Sequence, residues 1–145
     1  MNTTTAITTT AGLPTSVDES IDRLVAFLQT GATDGLFAPD VFADITLPHW
    51  RVQALGADEL IAMKTRMHPP GGRTRVEKVL SASHGYTLKV EERWEDGGQP
   101  WYCREAFLCD LDELGRIIEF SVYCTGDWDE AAVADHAKTV TLIRP

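Results

Sequence analysis

The sequence predicts a single α+β domain in which helices pack on a strongly curved, mainly antiparallel sheet that encloses an interior pocket. Two observations support this prediction. Apolar residues recur at helical spacing in the first half of the chain and at every second position from Thr74 onward. The predicted elements run helix, strand, helix and then a meander of strands, an order typical of helices that lie on one side of an antiparallel sheet.

Length and charge limit the possible functions. The 145 residues, 43% of them hydrophobic, suit one domain at 15–145, preceded by a threonine-rich stretch at 1–14 that is expected to be a flexible arm. The net charge of −9 repels phosphate backbones and anionic lipids, so neither nucleic acid nor a membrane is expected as a partner. The odd number of cysteines, three, and the lack of a long apolar run favour a cytoplasmic location.

The N-terminal part of the domain predicts a helix with clear start and stop signals. Ser16 followed by Glu19 forms a capping box, and Gly31 ends the apolar run that follows it. A short helical turn is expected at 34–37. Pro39 and the aspartate after it are expected to break the chain before the next element.

One strand and two further helices are predicted outside the meander. The segment VFADITLPHW has the composition of a strand, and Pro48 is expected to end it or confine it to a sheet edge because proline lacks a backbone donor. After Gly56, the segment ADELIAMKTRMH predicts a second helix. Asp127 and Glu130 predict the capping box of a last helix in WDEAAVADHAK.

The second half of the chain predicts an antiparallel meander. Short turn sequences, DGGQP and DELG, separate the later strands and are the right length for hairpins. The strands are expected at about 74–83, 86–95, 101–111 and 116–125.

The faces of this meander carry the main functional signal. Side chains alternate between the two faces of a strand, so the apolar set of a strand identifies the polar residue that shares its face. Glu92 completes the apolar set of YTLKVEERW, and Glu105 completes that of WYCREAFLCDL. Both glutamates are therefore expected to point into the interior.

Two hairpin registers keep both apolar sets on one face. If Asp96 pairs with Trp101, the two glutamates lie directly opposite each other. If Glu95 pairs with Pro100, they are diagonal neighbours, roughly 5–8 Å apart by Cβ. The second register is favoured because it also sets Glu91 against an arginine on the other face.

Two buried carboxylates this close cannot both ionise cheaply, because burial raises each pKa and the first charge raises the second further. One is expected to hold a proton near neutral pH, so the pair offers a base beside an acid. Replacing either glutamate by glutamine is then expected to stabilise the fold. The alternative is that Arg73, Arg75 or Arg93 neutralises one glutamate, or that the strand twists Glu92 into solvent.

Two further residues are candidates for the site. Asp44 becomes a third acid if Phe42 points inward, and is a solvated strand residue if Ile45 and its alternate neighbour do. His49 is a candidate base at the pocket mouth, although a structural role is favoured for it. No metal-ligand spacing, phosphate loop or nucleotide fingerprint is present, so no metal and no cofactor are expected. The side chains expected to line the pocket and bind substrate are Phe42, Trp50, Tyr86, Val90, Trp94, Phe107, Phe120, Val122 and Cys124.

The order of elements, together with FAPDVFADITLPHW and GRIIEFSVYCTGDWDE, resembles the nuclear transport factor 2-like superfamily over about residues 16–130, most closely its SnoaL-like branch. The resemblance implies a cone-shaped α+β barrel with a mixed, mainly antiparallel sheet, often dimeric through its outer face. In a limonene-epoxide-hydrolase-like alignment, Glu92 takes the place of a catalytic aspartate. The positions of that family's partner arginine and second aspartate fall on Val90 and Val122. An isomerase-like alignment puts Glu105 on the pocket wall.

The resulting hypothesis is a cofactor-free lyase or isomerase, such as a dehydratase, cyclase or ketosteroid-isomerase-like enzyme, acting on a small hydrophobic organic substrate. Glu92 and Glu105 share the base and acid roles, with Asp44 or His49 assisting. One alternative is an epoxide hydrolase in which Asp44 and Glu92 hold the attacking water. Another is a non-catalytic binding or dimerisation module. A homodimer is expected from the resemblance.

Overall fold

Three helices pack on one six-stranded sheet in the computed structural model, which describes residues 15–145; the predicted arm at 1–14 lies outside the described residues. The sheet order is β2-β1-β6-β5-β4-β3, with β1 and β6 parallel and every other pair antiparallel. The predicted fold class is thereby confirmed. The helices are α1 (Val17–Thr30), α2 (Ala57–Met67) and α3 (Glu130–Thr139). The strands are β1 (Phe37–Leu47), β2 (Trp50–Leu55), β3 (Arg73–Ala82), β4 (Gly85–Asp96), β5 (Gln99–Leu111) and β6 (Ile117–Cys124).

Helix α1 begins and ends at the predicted residues. The Ser16 hydroxyl accepts a hydrogen bond from the Glu19 amide, and the Glu19 carboxylate accepts one from the Ser16 amide, which completes the capping box. Gly31 ends the helix in the left-handed conformation, with φ 80°. The buried face of the helix includes Leu24 and Phe27, which join the interior core.

Strand β1 differs from its prediction at the N-terminal end. Residues 34–36 form a turn rather than a helical turn, and the strand then starts at Phe37 and continues through Pro39. The proline is tolerated because β2 pairs with β1 only from Phe42 onward, and the ladder with β6 is interrupted between Phe37 and Phe42. No ladder hydrogen bond is therefore lost at Pro39.

The end of β1 and the short strand β2 form a hairpin that the sequence did not predict. Pro48 ends β1 as expected, and His49 occupies the turn with φ 60°. Strand β2 then returns at the sheet edge, with Trp50 opposite Leu47. The predicted strand therefore ends in a tight turn and is itself inside the sheet.

The hairpin between β4 and β5 adopts the favoured register. Glu95 pairs with Pro100, and Asp96 pairs with Gln99 across a turn made by Gly97 and its neighbour. Both turn glycines have positive φ, 63° and 75°, as a two-residue hairpin turn requires. The prediction that Glu92 and Glu105 are diagonal neighbours is confirmed by this register.

The interior faces of β4, β5 and β6 are apolar and packed. Phe107 stacks on Phe120 with ring centroids 5.5 Å apart, and Phe37 meets Phe120 edge to face at 5.4 Å. The Tyr86 hydroxyl shares a 3.0 Å hydrogen bond with Ser20. The predicted lining residues Tyr86, Val90, Trp94, Phe107, Phe120 and Val122 are all buried, and Cys124 is half-buried.

Helix α3 starts later than predicted, because Asp129 rather than Asp127 is its N-cap. The Asp129 side chain accepts a hydrogen bond from the Ala132 amide. The chain stays outside the helix up to Trp128, whose backbone exchanges two hydrogen bonds with Tyr102 of β5. Asp127 is therefore free of the helix, and its side chain turns toward the domain interior. None of the described helices has the length and apolar content needed to cross a membrane.

Candidate functional site

The two glutamates come together in the interior, as the face argument predicts. Glu92 is 5% exposed and Glu105 is 6% exposed. A carboxylate oxygen of each lies within 4.8 Å of the other. The register places Val90 opposite Glu105 and Cys103 opposite Glu92, so the two acids sit diagonally on the same face.

Two basic side chains from the end of α2 face Glu92. Lys64 Nζ lies 3.8 Å from Glu92 Oε1, and His68 Nδ1 lies 3.5 Å from Glu92 Oε2. Lys64 Nζ and His68 Nδ1 are themselves 3.2 Å apart. The indole of Trp94 packs on the His68 ring, with centroids 4.3 Å apart. Glu92 therefore has basic neighbours, and Glu105 has no ion-pair partner among the described side chains.

This asymmetry separates the protonation states of the pair. Burial raises the pKa of Glu92, but the hydrogen bond with Glu105, His68 and the charge of Lys64 lower it by more, so the net pKa lies below its ordinary value. Burial and the adjacent Glu92 raise the pKa of Glu105 well above its ordinary value. Near neutral pH the pair therefore consists of an ionised Glu92 beside a protonated Glu105.

His68 was not among the site residues predicted from the sequence. It is only 7% exposed. The signal that identifies it is the helical spacing of Leu60, Lys64 and His68, four residues apart, which continues the buried face of α2 to its last turn. On its far side, His68 Nε2 contacts Asp127 Oδ1 at 2.9 Å.

Polar atoms without partners mark the space between these groups. Glu92 Oε2, Glu105 Oε1 and Thr74 Oγ1 are buried and make no hydrogen bond within the described part of the chain. Thr74 of β3 is the register partner of Glu92, so all three atoms belong to one face of the sheet. Buried polar atoms are normally paired, so this cluster is where the donors of a bound molecule or water would be accepted.

Glu91, the next residue along β4, is a buried acid of the opposite kind. It points to the outer face, accepts hydrogen bonds from Arg75 Nε at 2.6 Å and from the Tyr102 hydroxyl at 2.7 Å, and lies 3.5 Å from Arg93. Burial raises its pKa, but these partners lower it by more. Arg75 and Arg93, two of the three arginines considered as alternative partners, thus lie against Glu91 and not against the interior pair.

The predicted assistants lie elsewhere, which corrects the sequence prediction. Asp44 is on the outer face of β1, where Arg51 Nε donates to Oδ1 at 2.8 Å, and this hydrogen bond lowers the pKa of Asp44. Phe42 shares that face and is 38% exposed, and His49 and Trp50 are exposed at the β1–β2 turn. The inward set of β1 includes Ala43 and Ile45 instead. Asp44, His49, Phe42 and Trp50 therefore do not contact the acid pair.

Four side chains of metal-binding type meet at the site. His68, Glu92, Cys103 and Glu105 each place one ligand atom within 4.8 Å of the others. Two features oppose a divalent cation there. The Lys64 ammonium is 3.2 Å from His68 Nδ1, and the contact with Cys124 together with burial raises the pKa of the Cys103 thiol. The arrangement suits a shared proton better than a metal ion.

A separate cavity of about 1090 Å³ lies on the outer face, between the sheet and the C-terminal segment. Its lining includes Arg75, Glu91, Tyr102, Trp128 and His136. Consecutive strand residues point to opposite faces, so Glu91 faces this cavity and Glu92 faces the interior, while Trp94, which packs on His68, lines the cavity at its edge. The chemistry of Glu92 and Glu105 therefore belongs to the interior.

Fold and site together define a small α+β barrel with an unequal pair of buried acids at its interior. The fold is that of the nuclear transport factor 2-like proteins. A nuclear transport factor 2-like protein of unknown function from Burkholderia xenovorans LB400 has 15% sequence identity and a TM-score of 0.59, over 88% of this chain and 94% of that one. No protein-family model and no curated protein matches the sequence.

Two further similar structures have more specific descriptions. One, from Catenulispora acidiphila, is a hypothetical protein with a ketosteroid isomerase-like fold in complex with trimethylamine (16% identity, TM-score 0.59, 76% of this chain and 88% of that one). The other is an epoxide hydrolase from M. tuberculosis, described as LEH-like (13% identity, TM-score 0.57, 72% of this chain and 79% of that one). At these identities the likeness establishes the fold, as the sequence resemblance implied, and leaves the reaction to the site.

Proposed function

We propose that this protein is a cofactor-independent lyase or isomerase that moves a proton on a small hydrophobic organic substrate. The observation that carries the proposal is the unequal acid pair, in which Glu92 has two cationic neighbours and Glu105 has none. An ionised carboxylate beside a carboxylic acid supplies a base and a hydrogen-bond donor within one site.

The roles follow from the two environments. Glu92 is the base that removes a proton next to a carbonyl or next to a leaving hydroxyl. Glu105 is the acid, which donates a hydrogen bond or a proton to the oxygen on which negative charge develops. The Lys64 side chain is 14% exposed, so the pair lies one side chain below the surface and substrate reaches it from that end of the barrel.

Epoxide hydrolysis has less support from the site. In that mechanism Asp44 and Glu92 were expected to hold a water together, but Asp44 is bound to Arg51 on the outer face. The positions aligned with the arginine and the second aspartate of that family are Val90 and Val122, both buried in the apolar core. A water-activating triad has no counterpart at these positions.

A generic test of the base uses nitrobenzisoxazole as the probe. Removal of its ring C–H proton breaks the N–O bond and releases a coloured cyanonitrophenolate, so a carboxylate base in an apolar site can be assayed without the natural substrate. We expect the protein to accelerate this elimination above acetate at equal carboxylate concentration, with a rate that rises with pH as Glu92 ionises. A rate equal to that of acetate at every pH would favour a non-catalytic binding protein.

We also propose that the protein is a homodimer through the outer face of the sheet. Leu80, Leu108 and Tyr123 lie on that face and are 60%, 44% and 56% exposed, which is a large apolar surface for a chain with a net charge of −9. Sedimentation equilibrium is expected to give twice the chain mass, and Leu108→Glu is expected to give the monomer. A monomeric wild-type protein at micromolar concentration would contradict this proposal.

A further inference from the structure

Glu92 stays ionised only if neighbouring groups stabilise its charge, because the residue is 5% exposed and lies beside a second acid. Burial alone would drive it to take up a proton. Lys64 provides one counter-charge, with Nζ 3.8 Å from Oε1. The other oxygen, Oε2, is buried without a hydrogen bond among the described residues, and His68 Nδ1 faces it at 3.5 Å.

The other side of the His68 ring contacts Asp127, an acid that is not part of the buried pair. His68 Nε2 and Asp127 Oδ1 are 2.9 Å apart, and the Asp127 side chain is 40% exposed. Asp127 reaches this position because Trp128 pairs with Tyr102 and holds the segment before it outside α3. A helix starting at Asp127 would remove the carboxylate from the ring.

We propose that Asp127 and His68 are positioning residues for Glu92. The Asp127 carboxylate fixes the His68 ring and stabilises its second proton, and the resulting imidazolium keeps Glu92 Oε2 ionised and directed into the cluster. This inference rests on the proposed function for its catalytic meaning, but the link between the three side chains is testable without any substrate.

The charges around His68 agree with this role of Asp127. Burial lowers the pKa of His68, while the contacts with Asp127 and Glu92 raise it by more, and Lys64 opposes them. The groups that face His68 from the packed elements are Lys64 of α2, Glu92 of β4, Cys103 and Glu105 of β5, Cys124 of β6, and Asp127 after β6. Among these, Asp127 is the exposed acid, so its charge can be removed without leaving an unpaired buried acid.

The test compares Asp127→Asn with Asp135→Asn, a substitution at an exposed aspartate of α3 whose side chain makes no hydrogen bond or ion pair with the described residues. NMR titration of the His68 ring and of the Glu92 carboxyl is expected to give a lower midpoint for His68 and a higher midpoint for Glu92 in Asp127→Asn. The Asp135→Asn variant is expected to match wild type. If both midpoints are unchanged in Asp127→Asn, the proposal is wrong.

The rate assay adds a readout that a purely structural contact would not move. With nitrobenzisoxazole, the pH at which the rate of Asp127→Asn rises is expected to lie above that of wild type, so that below both midpoints the variant is about tenfold slower for each unit by which the midpoints differ. The two rates are expected to converge at alkaline pH, where Glu92 is ionised in both proteins. Absence of turnover in wild type would refute the proposed function, and the NMR midpoints would still decide the role of Asp127.

Discussion

Glu92→Gln is expected to lower the rate of nitrobenzisoxazole elimination by about 10²–10⁴-fold, the usual contribution of a positioned general base. An amide cannot accept the substrate proton, and burial still raises the pKa of the neighbouring Glu105 when the Glu92 charge is removed. The measurement is the initial rate of phenolate release near neutral pH. Glu95→Gln, an exposed position on the same strand, is the matched control and is expected to retain the wild-type rate.

The same substitution is expected to destabilise the fold. Lys64 and His68 have side chains that are 14% and 6% exposed, and both lose the counter-charge that Glu92 supplies. Removing one partner of a buried ion pair leaves the other uncompensated, which usually costs several kcal/mol. Urea unfolding measures this loss. Full wild-type activity in a folded Glu92→Gln protein would remove Glu92 from the mechanism.

Strand alternation was sufficient to find the acid pair. Because Glu92 and Glu105 each complete an apolar set with a period of two, their inward direction depends only on local sequence, and the short hairpin fixes their separation. The same argument failed for Asp44. Both alternate sets of β1 contain apolar residues, so the pattern did not determine which set faces the core.

The cationic half of the site depends on contacts between distant parts of the chain. His68 and Asp127 are 59 residues apart in sequence and meet because α2 packs on β1 and β2, and β1 is paired with β6, which ends shortly before Asp127. The capping pattern at Asp127 predicted the wrong start for the helix, because Trp128 pairs with Tyr102 through the backbone and the helix begins after Asp129. Local sequence preferences cannot predict this backbone pairing, because the pairing depends on the register between β5 and the chain that follows β6.

The sequence also did not distinguish the two glutamates, which were treated as equivalent charges when their effect on stability was predicted. Repulsion between like charges predicts that glutamine at either position stabilises the fold. In the structure, Lys64 and His68 lie against Glu92, so the pair is polarised and the two substitutions are expected to have opposite signs. Stability measurements on both variants therefore test the site without any assay of activity.

Glu105→Gln is expected to stabilise the protein, by an amount that grows with pH. The folded pKa of Glu105 lies well above its ordinary value of 4.5, so the fold favours the protonated acid. The stability contributed by Glu105 is complete below the unfolded pKa and is lost as pH rises through the folded pKa. Glutamine resembles the protonated acid at every pH and does not lose this contribution.

The experiment is urea unfolding of wild type and Glu105→Gln at about pH 5 and at about pH 8. At about pH 5 the difference in unfolding free energy is expected to be small. As pH rises from the unfolded pKa of Glu105 toward its folded pKa, each pH unit adds about 1.4 kcal/mol in favour of the variant. The titration of His68 affects both proteins and largely cancels in the difference. Glu92→Gln serves as the opposite control, because its folded pKa is lowered and its loss destabilises the fold. If Glu105→Gln is equally stable relative to wild type at both pH values, Glu105 is not the protonated member of the pair, and the acid role would have to be assigned to another group.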